Sequence, residues 1–253
     1  MSDQAVLYQL RDEVAYVTLN RPEASNAVDL DCARLFGDVV SRVTNDGPRA
    51  VLIAGKGKRF CAGGDVSSIL RAPDRPSYVH ELAGTFEAGL RRLSELPVPV
   101  VAAVQGGVAG AGLAVVLNCD VVIAARSTKF LMAYSAVGLT PDCGVSYLLP
   151  RAVGQQRALE LALTGRTLTA DEAMAWGLVA QVVEDEDVLR RAGEVVAQVA
   201  HAATSALGEA KRLIRSSWES TRSESALDEF ATIARAVGTN EAASLIEKFA
   251  HRH

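Results

Sequence analysis

The chain contains no apolar run approaching the ~20 residues of a membrane-spanning helix. It has no Cys-x-x-Cys pair. Its cysteines, Cys32, Cys61, Cys119 and Cys143, are widely and irregularly spaced, which supports neither a zinc site nor a disulfide framework. Histidine is sparse: His80, His201, His251 and His253 stand apart from any turn of catalytic character and read as surface or helix residues. Positive charge is not in excess. The formal net charge of -4 argues against a nucleic-acid binder, which carries a basic face. The start, Met1-Ser2-Asp3-Gln4, holds an acid where a secretory leader has a basic segment and then an apolar one, so the expectation is a cytoplasmic protein. There is no low-complexity linker and no internal repeat.

What is present is apolar. Hydrophobic residues make up 49% of the 253 and charged ones 22%, enough for a sizeable core in one larger domain, or in a domain with an appendage. Val14–Leu19 reads as a strand that ends at Asn20-Arg21-Pro22. A helix over Leu30–Val43, capped by Asp29, has Leu35, Val39, Val40 and Val43 on one face. Strands follow at Ala50–Ala54, Val100–Val104 and Val121–Ala124, with helices over Glu81–Leu96, Leu113–Leu117 and Leu159–Leu163. Thr169-Ala170-Asp171-Glu172 fits a capping box. The acidic run through Glu184–Asp187 reads as a solvated loop. Strand, turn and helix alternate, which indicates an α/β fold with buried strands. From about residue 188 the pattern is helical only, with Leu207, Ala210, Leu213 and Ile214 on one apolar face.

Two glycine-rich turns each follow a buried strand: Phe60-Cys61-Ala62-Gly63-Gly64-Asp65, and Gly106-Gly107-Val108-Ala109-Gly110-Ala111-Gly112. The first N–H groups of a helix have no partner inside it, so such turns can bind an anion. Two donors aimed at one carbonyl oxygen make an oxyanion hole. The second turn does not fit the G-x-G-x-x-G dinucleotide pattern. Gly55-Lys56-Gly57-Lys58 lacks the spacing of a phosphate loop.

Several motifs occur together. They are Asn20-Arg21-Pro22-Glu23 with Asn26-Ala27, Gly55 and Gly57 before Phe60-Cys61-Ala62-Gly63, Gln105-Gly106 with Gly110 and Gly112, and Cys119-Asp120. Arg157-Ala158, Leu163-Thr164-Gly165-Arg166 and Trp176-Gly177-Leu178-Val179 follow. This set resembles the crotonase (enoyl-CoA hydratase/isomerase) superfamily over residues 5–185. The likeness is strongest to its phenylacetate-pathway ring-opening isomerase branch, through Gly138-Leu139, Pro141-Asp142-Cys143-Gly144 and Leu148-Leu149-Pro150-Arg151. The resemblance implies a spiral of ββα turns over residues 1–190. It also implies a helical oligomerisation region over 191–253, and a homotrimer or hexamer. The substrate would be an acyl-CoA thioester, with coenzyme A part of the substrate and no further cofactor, metal, nucleic acid or membrane partner. The N–H groups of Ala62 and Ala111 would hold the thioester oxygen. Gly63, Asp65, Gly110 and Tyr134 would bind substrate, and Lys58, Arg59 and Lys211 would meet the coenzyme A phosphates.

Hydratases of the family carry two glutamates, and their positions match Ala114 and Tyr134 here. Neither residue replaces a carboxylate that activates water. Asp142 stands where several family branches place their acid/base. One carboxylate suffices to take a proton from one carbon and return it two carbons along, which favours an enoyl-CoA isomerase. The rival readings are an enoyl-CoA hydratase (a lyase), an acyl-CoA hydrolase or dehalogenase, and a non-catalytic acyl-CoA binder. A dehalogenase needs an aromatic-lined pocket, for which Tyr134 and Phe86 are the candidates. Tyr134 either donates a hydrogen bond or only lines the acyl pocket. Glu87 reads as a solvated helix residue that could add a second carboxylate. Cys143, with no histidine near it in the sequence, reads as a small buried residue rather than a nucleophile.

Overall fold

The computed structural model describes residues 4–251. Met1-Ser2-Asp3 and His253, used above, lie outside the described residues. The chain begins with a hairpin of β1 (Val6–Arg11) and β2 (Val14–Leu19). Arg11 stands opposite Val14 across Asp12 and Glu13, which both have left-handed φ, 50° and 60°. That turn normally advertises itself by glycine or asparagine, so β1 carries no sequence signal of its own.

A six-stranded sheet follows the order β1-β2-β3-β4-β6-β9, with β3 at Ala50–Gly55, β4 at Val100–Val104, β6 at Val121–Ala125 and β9 at Gln181–Val183. All its pairs except β1–β2 are parallel. A smaller sheet joins β5 (Gly107–Ala109), β7 (Lys129–Leu131) and β8 (Leu168–Thr169). The chain therefore steps from the large sheet to the small one and returns through a helix. β4 leads to β5 and then α4 (Ala111–Asn118), and β6 leads to β7 and then α5 (Val145–Val153) and α6 (Gln155–Thr164), after α1 (Leu30–Asp46), α2 (Val66–Arg71) and α3 (Arg75–Ser94). This is the expected α/β architecture.

Helix boundaries follow local chemistry. The Asp29 carboxylate accepts the Cys32 N–H at 2.8 Å and caps α1, which runs on to Asp46 and stops at Gly47 in the left-handed region. α3 starts earlier than expected because Asp74 caps it and Pro76 sits in its first turn. α7 (Ala170–Ala175) carries the expected capping box between Thr169 and Glu172.

Both faces of the large sheet are covered, which is why β3 and β4 are nearly continuous apolar runs. Val51, Ile53, Ala102 and Val104 face α1, α3 and α4. Leu52, Val101 and Ala103 face Ala192, Val195 and Val196 of α8 (Val188–Ala200). The boundary expected at residue 190 falls inside α8, and this helix belongs to the sheet's second layer. Beyond it lie α9 (Thr204–Ser216), α10 (Arg222–Val237) and α11 (Asn240–Ala250). Among the described residues no helix is long and apolar enough to cross a membrane.

Candidate active site

The first glycine turn hangs on side chains from the loop after β2. Asn26 is 2% exposed. Its amide donates to the Lys56 and Arg59 carbonyls at 3.0 and 2.8 Å, and its oxygen accepts the Arg21 N–H at 2.8 Å. The Arg21 guanidinium reaches Asp29 and Asp65, each at 2.9 Å. The Asn20-Arg21-Pro22 motif and Asn26 are thus the scaffold of the turn rather than its chemistry.

Asp65 belongs to that scaffold. It caps α2 through the Ser68 N–H and pairs with Arg21. Burial raises its carboxyl, but the Arg21 and Ser68 hydrogen bonds outweigh this and hold it below the usual range. The substrate role expected of Asp65 does not fit, because its oxygens are taken and it does not line the cavity described below.

The second turn packs directly on the first. The Ala109 N–H donates to the Cys61 carbonyl at 3.0 Å. A Cβ placed on Gly110 would lie 3.5 Å from the Gly63 Cα, and one on Gly112 would lie 2.3 Å from the Cys61 oxygen. Glycine at 112 is therefore a steric requirement for bringing the two turns together. Among the residues of the two turns that line the cavity described below, two backbone donors have no hydrogen-bond partner. One is the Ala111 N–H at the first position of α4, and the other is the Gly64 N–H. Ala62, expected as the first donor, instead gives its N–H to the Ser25 carbonyl at 3.0 Å, so the free group in this turn is that of Gly64.

Gly64 and Ala111 both line one cavity of about 390 Å³. Its walls include Gly63, Gly110, Leu82, Phe86, Val137 and Leu139, and it contains Tyr134, Asp142 and Cys143. The Tyr134 hydroxyl donates to Asp142 Oδ1 at 2.9 Å. Burial, and then the charge of Asp142, push this hydroxyl well above the usual phenol range, so it stays a donor. Both expected roles of Tyr134, donor and wall, are present in its position. Asp142 has no cationic partner within ion-pair distance among the described residues. Ala114 is fully buried in α4 and brings no carboxylate to the cavity.

Cys143 is buried with φ 49°, and its thiol approaches the Ala83 carbonyl at 3.7 Å. Burial and the neighbouring carboxylates push the thiol up, away from a nucleophilic thiolate. His80, read as remote from catalytic turns, lies on α3 at the exposed rim of the cavity, a position the sequence spacing did not reveal.

Other expected contacts do not gather here. Lys58 and Arg59 are exposed and lie outside the cavity lining, and Arg59 reaches the Ser25 hydroxyl at 3.3 Å. Lys211 is half-buried and bound to Asp120 at 2.8 Å and to the Val98 carbonyl at 3.1 Å, so it ties α9 to the sheet rather than meeting a phosphate. Glu87 stands just behind the cavity on α3, next to Phe86. Among the described residues no cluster of three or more His, Cys, Asp or Glu is arranged to hold a metal ion.

Residues 9–245 match the enoyl-CoA hydratase/isomerase family. The chain is 40% identical to the 1,2-epoxyphenylacetyl-CoA isomerase of Escherichia coli K12 over 222 residues, covering 85% of this chain and 84% of that protein. It is 33% identical to the trans-2-decenoyl-[acyl-carrier-protein] isomerase of Streptococcus mutans, over 87% of this chain and 84% of that one. Its fold superposes on the crystal structure of an enoyl-CoA hydratase from Mycobacterium smegmatis with a TM-score of 0.92 at 28% identity, covering 98% of this chain and 97% of that one.

Proposed function

Because the chain belongs to the enoyl-CoA hydratase/isomerase family, we propose that it is an acyl-CoA isomerase working by 1,3-proton transfer through an enolate. The Gly64 and Ala111 N–H groups hold the thioester oxygen. Asp142 takes a proton from the carbon beside the thioester and returns it two carbons along. The enolate charge builds on the oxygen, where two fixed donors stabilise it most. Losing one such donor typically costs ~2.7–4 kcal/mol.

The carrying observation is that the cavity with two free N–H groups contains one carboxylate, Asp142, steadied by Tyr134 at 2.9 Å. Hydration needs a water activated and a carbon protonated, work that two acids usually share. The isomerase names of the Escherichia coli and Streptococcus mutans relatives support the same reading. Assembly into trimers or hexamers is part of the proposal. Its support is the exposed Leu227, Phe230 and Ile233 of α10. Light scattering that found a stable monomer of 26.7 kDa would overturn it.

The test compares conversion of trans-3-enoyl-CoA to trans-2-enoyl-CoA with hydration of trans-2-enoyl-CoA, and includes 1,2-epoxyphenylacetyl-CoA as a substrate. Isomerisation of at least one of them, faster than hydration, is expected. Hydration far faster than isomerisation makes the chain a hydratase. Release of free coenzyme A or halide makes it a hydrolase or dehalogenase. Tight binding with no turnover makes it an acyl-CoA binder.

A further inference from the structure

Behind the acyl cavity lies a larger cleft of about 920 Å³, lined among others by Glu87, Arg91, Gly144 and Tyr147. The two hollows share a wall. Phe86 and Cys143 face the acyl cavity, while their chain neighbours Glu87 and Gly144 face the cleft. Glu87 is half-buried, yet it has no hydrogen bond or ion pair among the described residues. Its carboxylate is open to the water of the cleft rather than tied to another side chain. Its oxygen packs toward Gly144, where an added Cβ would lie 3.7 Å from Glu87 Oε2.

We propose that Glu87 exchanges the proton held by Asp142 with solvent through this cleft, acting on Asp142 rather than on the substrate. The inference rests on the isomerase reading. When Asp142 takes the substrate proton, the C–H electron pair stays on the substrate as the enolate. No hydrogen bond joins the two carboxylates among the described residues, so the carboxylic acid of Asp142 passes its proton through a bridging water to the Glu87 carboxylate, and Glu87 passes it to the water of the cleft. A solvent proton returns by the same steps in reverse. A bound acyl chain fills the cavity that Asp142 lines, so exchange is left to the wall shared with the cleft.

The surroundings agree. Burial raises the Glu87 carboxyl; Arg91 lowers it and Asp142 raises it further, so it is suited to accept a proton. Burial and the charges of Asp142 and Glu87 push the Cys143 thiol up, so it stays protonated.

The experiment is isomerisation of trans-3-enoyl-CoA in D₂O, scoring deuterium at C4 of the product by mass spectrometry. The parent is expected to place solvent deuterium at C4 in part of the product. Glu87→Gln removes the acid at constant size. Loss of a positioned acid/base slows its proton transfer by ~10²–10⁴, so the deuterium fraction should fall by about tenfold while isomerisation continues. Glu87→Asp should restore much of it. Because each product molecule reports its own history, a partly misfolded preparation does not move the ratio. An unchanged fraction in Glu87→Gln overturns the proposal and leaves the isomerase reading intact. So does a parent that takes up no solvent deuterium while isomerising, or a Glu87→Gln variant with no turnover at all. A parent that neither isomerises nor exchanges overturns both.

Discussion

Asp65 and Asp142 each follow a turn that helps build the acyl site, and their partners differ in kind. Asp65 is met by a guanidinium at 2.9 Å and a helix N–H at 3.2 Å. Asp142 is met by a neutral phenol at 2.9 Å and has no cation at ion-pair distance. A carboxylate filled by a cation and a backbone donor is locked as a charge and serves the fold. One steadied by neutral donors alone keeps lone pairs for a substrate. Residue type does not separate the two; the partners do.

Exchanging each acid for its amide breaks the comparison most sharply. Asp142→Asn should cut isomerisation by ~10²–10⁴ and leave the melting temperature nearly unchanged. If the variant isomerises at the parent rate, Asp142 is only a turn residue. Asp65→Asn should do the opposite, keeping kcat in the folded fraction while lowering stability.

The next largest effect concerns the backbone donors. A Cβ on Gly64 meets nothing within 4 Å, so alanine fits there sterically. Gly64→Ala keeps the N–H and should keep most activity. Gly64→Pro removes it and should cost ~10²–10³ in turnover. Equal activity of the two folded variants would take Gly64 out of the mechanism. Ala62→Pro breaks the bond to Ser25, so its damage should show first as lost stability.

Much of this site is legible in the residues. Glycines at 110 and 112 announce a close approach of two turns, and Ala114 announces a missing acid. Which N–H stays free is not legible. It depends on the Ser25 carbonyl folding back onto Ala62, a contact between distant segments that leaves no mark on either. Asp65 looks like a binding residue until its ion pair with Arg21 is seen. The fold shows the same division. Long apolar runs such as β4 and the amphipathic α1 declare themselves, whereas β5, β7 and β8 are too short for any periodicity to register. β1 is hidden by a hairpin turn made of Asp12 and Glu13.

Asp65 also predicts a pH dependence. Its folded carboxyl lies below the ordinary aspartate value of 3.8. Such a group stabilises the fold above its unfolded value, and the contribution is lost as pH falls through the folded one. The loss in Asp65→Asn should be about 1–3 kcal/mol. The gap in melting temperature between parent and variant should hold from about pH 7 to 5 and close below about pH 4. A gap that widens in acid would mean the Arg21 pair is not what Asp65 contributes.

The smallest expected effect separates the two roles of Tyr134. Tyr134→Phe keeps the ring that walls the cavity and deletes the hydroxyl that steadies Asp142. A hydrogen bond to a charged group is worth about 1.5–3 kcal/mol, part of which the mobile carboxylate recovers from solvent. That leaves roughly a tenfold drop in kcat, since a tenfold change corresponds to about 1.4 kcal/mol. KM should stay near the parent value, because the apolar surface seen by the acyl group is unchanged. The Phe variant should melt close to the parent, since a single hydroxyl at a half-buried position is lost. A raised KM with unchanged kcat would reduce Tyr134 to a wall, and Asp142 would then be oriented by its own loop alone.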